Sequence, residues 1–310
     1  MLTNKKEIQQ FNPFVSVNAP KFVIAKRQKT INNSIEFKGI GLHTGNNVSM
    51  KLSPSPTDSG IIFRRSFKNK VIEIKASYQN VKSTKLCTLL SDSEGNTVST
   101  VEHILSALYA LEIDNVFIDI DSNEIPVYDG SSKEFVNKLN SVGIKELDSH
   151  KKFIKIKKDI EVFDGNKKAR VTPFDNTLIT TEVEYDHKMI GKQTISLMLT
   201  PTIYKSQICS ARTFGFLRDV ENLRKSGLAL GGSLDNAIVL DENKILNKEG
   251  LRFSDEFVRH KLLDFIGDIS LSGNRILGSF YTSHTGHELN YKLIQKIFES
   301  PENWELVYSN

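Results

Sequence analysis

Two side chains that could bind a metal ion stand one helical turn apart late in the chain. His260 and Asp264 are four residues apart, within a segment whose apolar residues repeat at helical spacing. Residues four apart share one face of a helix, so an imidazole nitrogen and a carboxylate oxygen would point the same way. Asp268 continues that face by another turn. The pattern predicts either part of a divalent-metal site or a polar face exposed to water, and alone it is more typical of the exposed face.

Glu102 and His103 form a second pair that could do chemistry. A histidine can hold a metal ion while a neighbouring carboxylate takes a proton from water, as a metal-dependent hydrolase requires. The pair does not belong to an H-E-x-x-H motif, because Ala107 stands where the second histidine would be. Ser99-Thr-Val-Glu102 also fits a capping box with Ser99 as N-cap, so the alternative interpretation of Glu102 is a helix cap.

Further candidates lie in loops. His43 lies within the glycine-bearing loop 39–45, whose spacing matches no phosphate-binding fingerprint and is explained by a hairpin turn. His287 follows a glycine and precedes a predicted helix. Segment 211–216 combines the hydroxyl of Thr213 with two aromatic side chains, and local sequence leaves open whether it binds an oxyanion or packs in the core.

The elements that must position these residues occur twice in a similar order. Each half has strands, then a helix that begins near a histidine, then a strand, a glycine turn and a closing helix. The charged stretch Asp148–Lys152 between the halves is predicted to be a linker. We therefore predict an α+β fold with two similar domains, residues 29–149 and 150–310, after a mobile extension over residues 1–28. A site would lie between the halves, where domain interfaces favour pockets.

The composition is that of an ordinary globular protein. The 310 residues include 39% hydrophobic ones, enough for a full core without disulfides, and carry a net charge of only +4. Two cysteines far apart in sequence exclude a disulfide framework and indicate a reducing compartment. No apolar run approaches the roughly 18 residues of a membrane span. We expect a cytoplasmic protein with no nucleic-acid partner, because the positive charge is mild and unclustered.

Seven segments together resemble one family, the UDP-3-O-acyl-N-acetylglucosamine deacetylases, which are zinc amidases of lipid A synthesis. They occur in the family's order between about residues 30 and 297, and their joint match is far more specific than any single motif. The segments are GIGLHTG (39–45), STVEHILSAL (99–108), DN…EIPVYDGSS (114–132), ARTFGF (211–216), GGSLDNAIV (231–239), GLRFSDEFVRHKLLDFIGDISL (250–271) and GHELN (286–290).

The resemblance implies two α+β domains, each a β-sheet with helices on one face, with the helices packed between the two sheets. This agrees with the repeated element order. The resemblance also implies a β-α-β insert at about residues 210–241 that forms an apolar tunnel for an acyl chain.

The function implied by the resemblance is hydrolysis of the N-acetyl group of UDP-3-O-(3-hydroxyacyl)-N-acetylglucosamine. The cofactor would be Zn²⁺, although two histidines and an aspartate also accept Fe²⁺. The implied roles are metal ligands for His103, His260 and Asp264, general base for Glu102, oxyanion stabilisation for Thr213, and protonation of the leaving amine for His287 paired with Asp268.

Substrate contacts also follow from the resemblance. His284 stands where the family often has lysine, which weakens an expected diphosphate contact. His43 resembles a residue that can take an extra, inhibitory zinc. The remaining implied contacts are Lys261 with phosphate, Lys167 and Tyr185 with the uridine diphosphate, and Phe214 and Phe216 near the nucleotide. We expect a monomer that binds this UDP-linked acylated glucosamine and has no stable membrane insertion.

Two other functions remain open on the sequence. A UDP-sugar or lipid sensor could keep this fold and lose the chemistry, although base, ligands and His287 are all present. A different metal amidohydrolase could act on a non-nucleotide amide. Competition by UDP would separate that enzyme from a nucleotide-sugar deacetylase.

Overall fold

The computed structural model describes residues 26–67 and 70–309. The described helices are α1 (Glu102–Ala110), α2 (Lys133–Val142), α3 (Pro201–Gln207), α4 (Leu217–Lys225), α5 (Glu256–Ile269) and α6 (His287–Phe298), with 3₁₀ turns at Tyr78–Asn80 and Ser270–Ser272. The strands of the first half are β1 (Arg27–Ile31), β2 (Ile35–Ile40), β3 (Asn47–Pro54), β4 (Ile61–Phe67), β5 (Lys70–Lys75), β6 (Val81–Ser83), β7 (Leu89–Ser91), β8 (Thr97–Ser99), β9 (Val116–Ile120) and β10 (Ile144–His150). The strands of the second half are β11 (Lys152–Ile156), β12 (Ile160–Asp164), β13 (Lys167–Thr172), β14 (Thr177–Tyr185), β15 (Gly191–Met198), β16 (Phe214–Phe216), β17 (Ile238–Leu240), β18 (Arg275–Ser283) and β19 (Trp304–Tyr308).

The main sheet of the first half has five strands in the order β2-β3-β9-β4-β5, beside a small sheet β6-β7-β8 and the pair β1-β10. Its neighbours are antiparallel except β4 and β9, which are parallel. Val48, Met50 and Leu52 alternate with exposed residues along β3 and face the core. This alternation is the period-two pattern of a sheet with one buried face.

A seven-stranded sheet in the second half is built around β18. This strand pairs in parallel with β11 and β14 and antiparallel with β13. Strands β12, β15 and β19 extend the sheet on β13, β14 and β11. Phe280 of β18 lies in register with Val171 and Ile179, and all three side chains are buried.

Helices α1 and α5 pack against each other and share one continuous core with both sheets. Every residue of α1 is buried. On α5, Leu262, Phe265 and Ile266 have no exposed surface. Fully burying one such side chain contributes about 1.5–3 kcal/mol, so this layer has a major share in holding the halves together. The predicted α+β class, with sheets on the outside and helices between them, is confirmed.

A glycine sets the distance between these two helices. A Cβ atom on Gly267 would lie 2.1 Å from the main-chain oxygen of Glu102, which is closer than atoms can approach. Only glycine therefore allows the first turn of α1 to lie against α5. Since His103 follows Glu102, the same contact brings this histidine to the face of α5 that carries Asp264.

Strands β16 and β17 pair in parallel and are joined through α4, so residues 214–240 form a β-α-β unit. Three leucines on it, Leu217, Leu230 and Leu234, are about half exposed. Among the described residues, no helix is long and apolar enough to cross a membrane.

Two local expectations were wrong. Asp148–Lys152 is not a linker: it ends β10, which pairs with β1, and begins β11, and Lys151 is only 2% exposed. Glu102 is not part of a capping box: Ser99 ends β8, Val101 is the N-cap and no side chain caps the helix. Of the predicted extension over residues 1–28, residues 1–25 lie outside the described residues, and Arg27 and Gln28 belong to β1.

Candidate metal and catalytic centre

Three potential metal ligands from two helices meet at one point. The Nε2 atoms of His103 and His260 lie 3.6 and 3.2 Å from the same oxygen, Oδ1 of Asp264. All three ligand atoms lie within 4.8 Å of one another, and each residue is less than 5% exposed. The polar face of α5 is therefore buried against α1, which excludes the alternative of a water-exposed face.

The hydrogen bonds around His260 leave its second nitrogen free to bind a metal. Its Nδ1–H donates to the main-chain oxygen of Ala211 at 3.1 Å, so the Nε2 lone pair faces Asp264. Burial lowers the pKa of His260 to about 3, so the ring is neutral near pH 7. A neutral imidazole held through its other nitrogen is the usual state of a metal-binding histidine.

Asp264 divides its two oxygens between different partners. Oδ1 faces the two imidazoles, while Oδ2 accepts a hydrogen bond from Nζ of Lys261 at 3.0 Å. Burial opposes the charge of Asp264, but the ammonium group of Lys261 helps to hold the pKa of this carboxyl well below its ordinary value. A carboxylate with two imidazoles matches the donors that Zn²⁺ and Fe²⁺ accept, so the residues present fit a divalent metal.

A buried ion pair fixes the main chain at Ala211. It joins the next residue, Arg212, to Glu256, which lies one turn before His260 on α5. Arg212 donates to Glu256 through its main-chain nitrogen at 3.0 Å and its Nε at 2.9 Å. Both side chains are at most 3% exposed. The ion pair therefore fixes the carbonyl that orients His260. The local sequence gives no sign of this pair, because 44 residues separate its members.

Glu102 is the first residue of α1 and is 3% exposed. Its Oε2 accepts a hydrogen bond from the main-chain N–H of Thr88 at 3.1 Å, and its Oε1 lies 3.7 Å from Nε2 of His287. Burial raises the pKa of Glu102, although the nearby His287 and His103 oppose this effect. The carboxyl therefore has a higher affinity for a proton than an exposed glutamate has.

His287, the first residue of α6, pairs with Asp268. Its Nδ1–H donates to Oδ2 of Asp268 at 2.9 Å, and the same oxygen accepts from Nδ2 of Asn290 at 2.8 Å. Burial opposes charge on the ring, but Asp268 and Glu102 raise the pKa of His287 to about 10. Near neutral pH this histidine is a cation beside Glu102, so the centre holds an acid and a base side by side.

An aromatic group adjoins the metal ligands. Phe214 contacts Tyr185 with ring centroids 5.6 Å apart and lies 6.5 Å from the ring of His260. Phe216 is 6.1 Å from Tyr185. Nζ of Lys261 lies 5.7 Å from the ring of Phe214, so one ammonium group faces both the aromatic group and Asp264. Burial opposes its charge, but Asp264 raises the pKa of Lys261.

The main chain at Thr213 is fixed between two neighbours. Its N–H donates to the oxygen of Gly130 at 2.8 Å, and its own oxygen accepts from the N–H of Ile238 at 2.8 Å. Thr213 is two residues after Ala211, whose carbonyl orients His260. One short segment therefore supplies both the carbonyl and the hydroxyl of Thr213. The hydroxyl of Thr213 stays a candidate oxyanion contact.

Lys167 and His284 lie apart from the metal ligands, at one end of the β13–β18 ladder, where Lys168 pairs with Ser283. Nζ of Lys167 is 3.8 Å from Asp164, and both side chains are about half exposed. His284 bonds its Nδ1 to the hydroxyl of Ser283 at 2.7 Å. Both side chains are at least partly exposed at this end of the second sheet.

His43 lies in a loop that two hydrogen bonds shape. Glu124 accepts from the main-chain N–H groups of His43 and Thr44 at 2.7 and 2.8 Å. Strands β2 and β3 flank this loop as an antiparallel pair, so the predicted hairpin is confirmed. Burial, together with the charge of His287, lowers the pKa of His43, while Glu124 opposes the effect. Glu124 was not identified from the sequence, where EIPVYDGSS contributed only as a matching motif.

Known proteins resemble the chain over nearly its full length. The family model described as UDP-3-O-acyl N-acetylglycosamine deacetylase matches residues 28–299. The UDP-3-O-acyl-N-acetylglucosamine deacetylase of Marinobacter nauticus is 46% identical over 283 residues, 91% of this chain and 93% of that protein. The enzymes of the same name from Pseudomonas entomophila and Idiomarina loihiensis are 44% and 46% identical over 284 and 283 residues, again 91% of this chain and 93% and 92% of theirs.

Proposed function

The chain belongs to the UDP-3-O-acyl-N-acetylglucosamine deacetylase family, and on that basis we propose how its residues divide the work of deacetylation. The enzyme hydrolyses the acetamide of a UDP-linked acylated glucosamine in lipid A biosynthesis and releases acetate. The observation that carries the assignment of roles is the convergence of two imidazoles and one carboxylate on a single point, with Glu102 and His287 beside it.

His103, His260 and Asp264 hold the metal, which we propose is Zn²⁺, with Fe²⁺ as the alternative that the same donors accept. When bound, such an ion supplies Lewis-acid polarisation of the amide carbonyl and eases ionisation of water. The neutral state of His260 and the charge of Asp264 support this role, because both present lone pairs near pH 7.

Glu102 acts as the general base. Its Oε2 is occupied by the N–H of Thr88, so Oε1 is the oxygen left to accept a proton from the attacking water. The raised pKa of Glu102 suits this step, because a stronger base takes the proton more readily. Water adds to the acetamide carbon, and the hydroxyl of Thr213 donates to the oxyanion that develops.

His287 acts as the general acid. Asp268 keeps its ring protonated and oriented, so the Nε2–H can donate to the amine as the C–N bond breaks. The glucosamine then leaves as a neutral amine, and the acetyl group leaves as acetic acid, which gives up its proton to become acetate. That proton and the one held by Glu102 remain; one restores the charge of His287 and the other passes to solvent. Glu102 and His287 must hold opposite protonation states for turnover, which gives activity a bell-shaped dependence on pH.

The substrate's nucleotide lies against the aromatic group of Tyr185, Phe214 and Phe216. Lys261 uses one N–H on Asp264 and keeps two for phosphate oxygens. Lys167 and His284 contact the diphosphate farther out, where a neutral His284 would bind it more weakly than lysine. The exposed Leu217, Leu230 and Leu234 of the β-α-β unit offer the apolar surface that an acyl chain requires.

We also propose a cytoplasmic monomer. Cys87 and Cys209 are free and buried, which is typical of a reducing compartment. The metal ligands, the base and the acid all come from one chain, so the centre needs no partner subunit.

The direct test is acetate release from the UDP-linked acylated glucosamine by the purified chain, with and without a chelator, and with UDP as competitor. We expect turnover that the chelator abolishes, that Zn²⁺ restores and that UDP inhibits. Turnover that UDP leaves unchanged would favour an amidohydrolase of non-nucleotide amides. Binding of UDP and metal without acetate release would favour a sensor.

A further inference from the structure

Thr88 contacts both the proposed base and the partner of the proposed acid. It lies immediately before β7, on neither of the helices that carry the metal ligands, and is 2% exposed. Its main-chain N–H donates to Oε2 of Glu102 at 3.1 Å, and its hydroxyl donates to Oδ1 of Asp268 at 2.7 Å. One residue thus connects two carboxylates that are 166 positions apart in the sequence.

Each of these hydrogen bonds selects one oxygen of its carboxylate. With Oε2 of Glu102 bound to Thr88, Oε1 is the oxygen on the side of His287. With Oδ1 of Asp268 bound to the hydroxyl, Oδ2 is left for His287 and Asn290. The hydroxyl of Thr88 donates its hydrogen bond to Asp268. Rotation of that carboxylate would therefore break a short hydrogen bond to a charged group.

The main chain at Thr88 is itself held in place. Its carbonyl oxygen accepts from the N–H of Val101, the residue before α1, at 3.5 Å, and the next residue, Leu89, pairs with Ser99. Two hydrogen bonds therefore connect Thr88 to the start of α1, one to Val101 and one to Glu102. The side chain of Thr88 reaches from there to α5.

We propose that Thr88 is a positioning residue that holds Glu102 and the His287–Asp268 pair in one fixed arrangement for proton transfer. Its N–H orients the base, and its hydroxyl orients Asp268 and, through it, the ring of His287. The inference rests on the proposed roles of Glu102 and His287, and it adds a residue that contacts the base and the partner of the acid.

Substitution separates the two contacts. Thr88→Val removes the hydroxyl at nearly the same volume and leaves the N–H in place, and Thr88→Ser restores the hydroxyl. Thr282→Val is the matched control, because Thr282 donates from a wholly buried position to the hydroxyl of Thr181 at 3.0 Å within the second sheet. That variant also loses one buried hydroxyl contact, but one that involves neither the proposed acid and base nor Asp268.

We expect Thr88→Val to lower kcat by about 10- to 100-fold in the metal-loaded enzyme, as loss of one hydrogen bond to a charged group allows. KM and metal content should not change, Thr88→Ser should stay within about threefold of wild type, and Thr282→Val should keep the kcat of wild type. An unchanged kcat in Thr88→Val would overturn the inference. So would an equal loss in Thr88→Ser, because packing rather than the hydroxyl would then be responsible.

The ring N–H resonance of His287 gives a readout that does not depend on turnover. In metal-loaded wild type, proton NMR should show a downfield Nδ1–H held by Asp268. We expect this signal to broaden or shift in Thr88→Val and to return in Thr88→Ser. If wild type released no acetate, the proposed function would fail, whereas this signal would still decide the role of Thr88; identical spectra in all three proteins would refute it.

Discussion

Two groups of buried charges lie at opposite ends of helix α1, and they differ in how their charges are satisfied. The catalytic cluster, at its start, comprises Glu102, His103, His260, Asp264, Asp268 and His287. The ionic cluster, at and beyond its end, comprises Lys29, Glu112, Asp114, Lys151 and Arg275. Both clusters join residues from the two halves of the chain, and both are largely shielded from water.

In the ionic cluster, opposite charges pair within the protein. Nζ of Lys29 lies 2.9 Å from Glu112, Nζ of Lys151 lies 3.1 Å from Asp114, and Arg275 lies 3.6 Å from Glu112. These neighbours lower the pKa of Glu112 even though burial opposes the shift. Here each carboxylate meets a cation that the chain itself supplies.

In the catalytic cluster, by contrast, three electron-pair donors face one another. His103 and His260 both direct nitrogen atoms at one oxygen of Asp264, and only the other oxygen meets a cation, Lys261. Such an arrangement is stabilised when a cation from outside occupies the point of convergence. Unmatched donors, rather than buried charge as such, therefore mark the site.

A large cavity lies beside the ionic cluster rather than beside the proposed metal ligands. A cavity of about 510 Å³ between the halves is lined by Glu112, Asp114, Lys151 and Arg275 of the ionic cluster and lies away from the proposed metal ligands. A donor set that fits a metal ion and a cavity of this size thus lie at different places among the described residues.

Replacing one glutamate of each cluster with glutamine should give the largest difference in kcat between the clusters. Glu102→Gln removes the base, so we expect kcat to fall by about 10²- to 10⁴-fold while the metal stays bound. Glu112→Gln should keep the kcat of wild type, because within the described part of the chain its carboxylate pairs with Lys29 and Arg275 and not with the catalytic cluster. Steady-state acetate release and metal analysis of both variants measure this. Equal losses of kcat would remove the distinction between the clusters.

A substitution in the ionic cluster should act on stability instead. Lys151→Met leaves Asp114 without its ammonium partner, and we expect the free energy of unfolding to fall by about 2 kcal/mol, less than for a fully buried pair because Asp114 is 28% exposed. Urea denaturation measures the change. Adding Asp114→Asn should recover part of the loss, whereas simple additivity of the two substitutions would show that the pair does not interact.

The pH dependence of activity should change when a residue of the catalytic cluster is replaced, but not when a residue of the ionic cluster is replaced. His287 keeps its proton up to a raised pKa of about 10 because Asp268 and Glu102 attract it. Asp268→Asn removes one of these negative charges, so the basic limb of the pH–rate profile should move to lower pH by about one unit. Asp114→Asn should leave both limbs in place. A basic limb that stays unmoved in Asp268→Asn would argue against His287 as the acid.

The smallest effect is expected at exposed lysines. Lys167→Ala removes a proposed contact with the diphosphate, and we expect KM to rise by up to about fivefold with kcat unchanged, since exposed charge pairs contribute at most about 1 kcal/mol. Lys152→Ala is the control, because Lys152 pairs with Asp58 on the side of the ionic cluster. A rise in KM for both variants would point to net charge rather than to a contact.

Local sequence placed the two candidate ligands of α5 on one helix face but did not predict what surrounds them. His260 and Asp264 could be paired because helical geometry fixes residues four apart on one face. The burial of that face could not be predicted, because periodicity cannot distinguish a polar stripe that faces a second helix from one that faces water. The joint match of seven segments to one family, rather than any single pattern, favoured a metal site over an exposed face.

The other expectations that were wrong, the capping box and the linker, have the same physical origin. Glu102 matched a capping box, but its carboxylate accepts from Thr88 on another element rather than capping its own helix. Lys151 appeared to belong to a charged linker, yet its ammonium is satisfied by Asp114 and the carbonyl of Glu112, 37 and 39 positions away. The partners that decide the role of each residue are distant in sequence, so only the fold reveals them.

Metal titration of the apoprotein tests the central claim most directly. Wild type should bind one Zn²⁺ per chain, and His103→Ala from α1 and His260→Ala from α5 should each weaken binding by at least about 10- to 100-fold, because each removes one of three ligands to the same ion. Glu102→Gln and Lys151→Met should bind as wild type does. Undiminished binding by His103→Ala would contradict the account, since the two helices would then not share one metal.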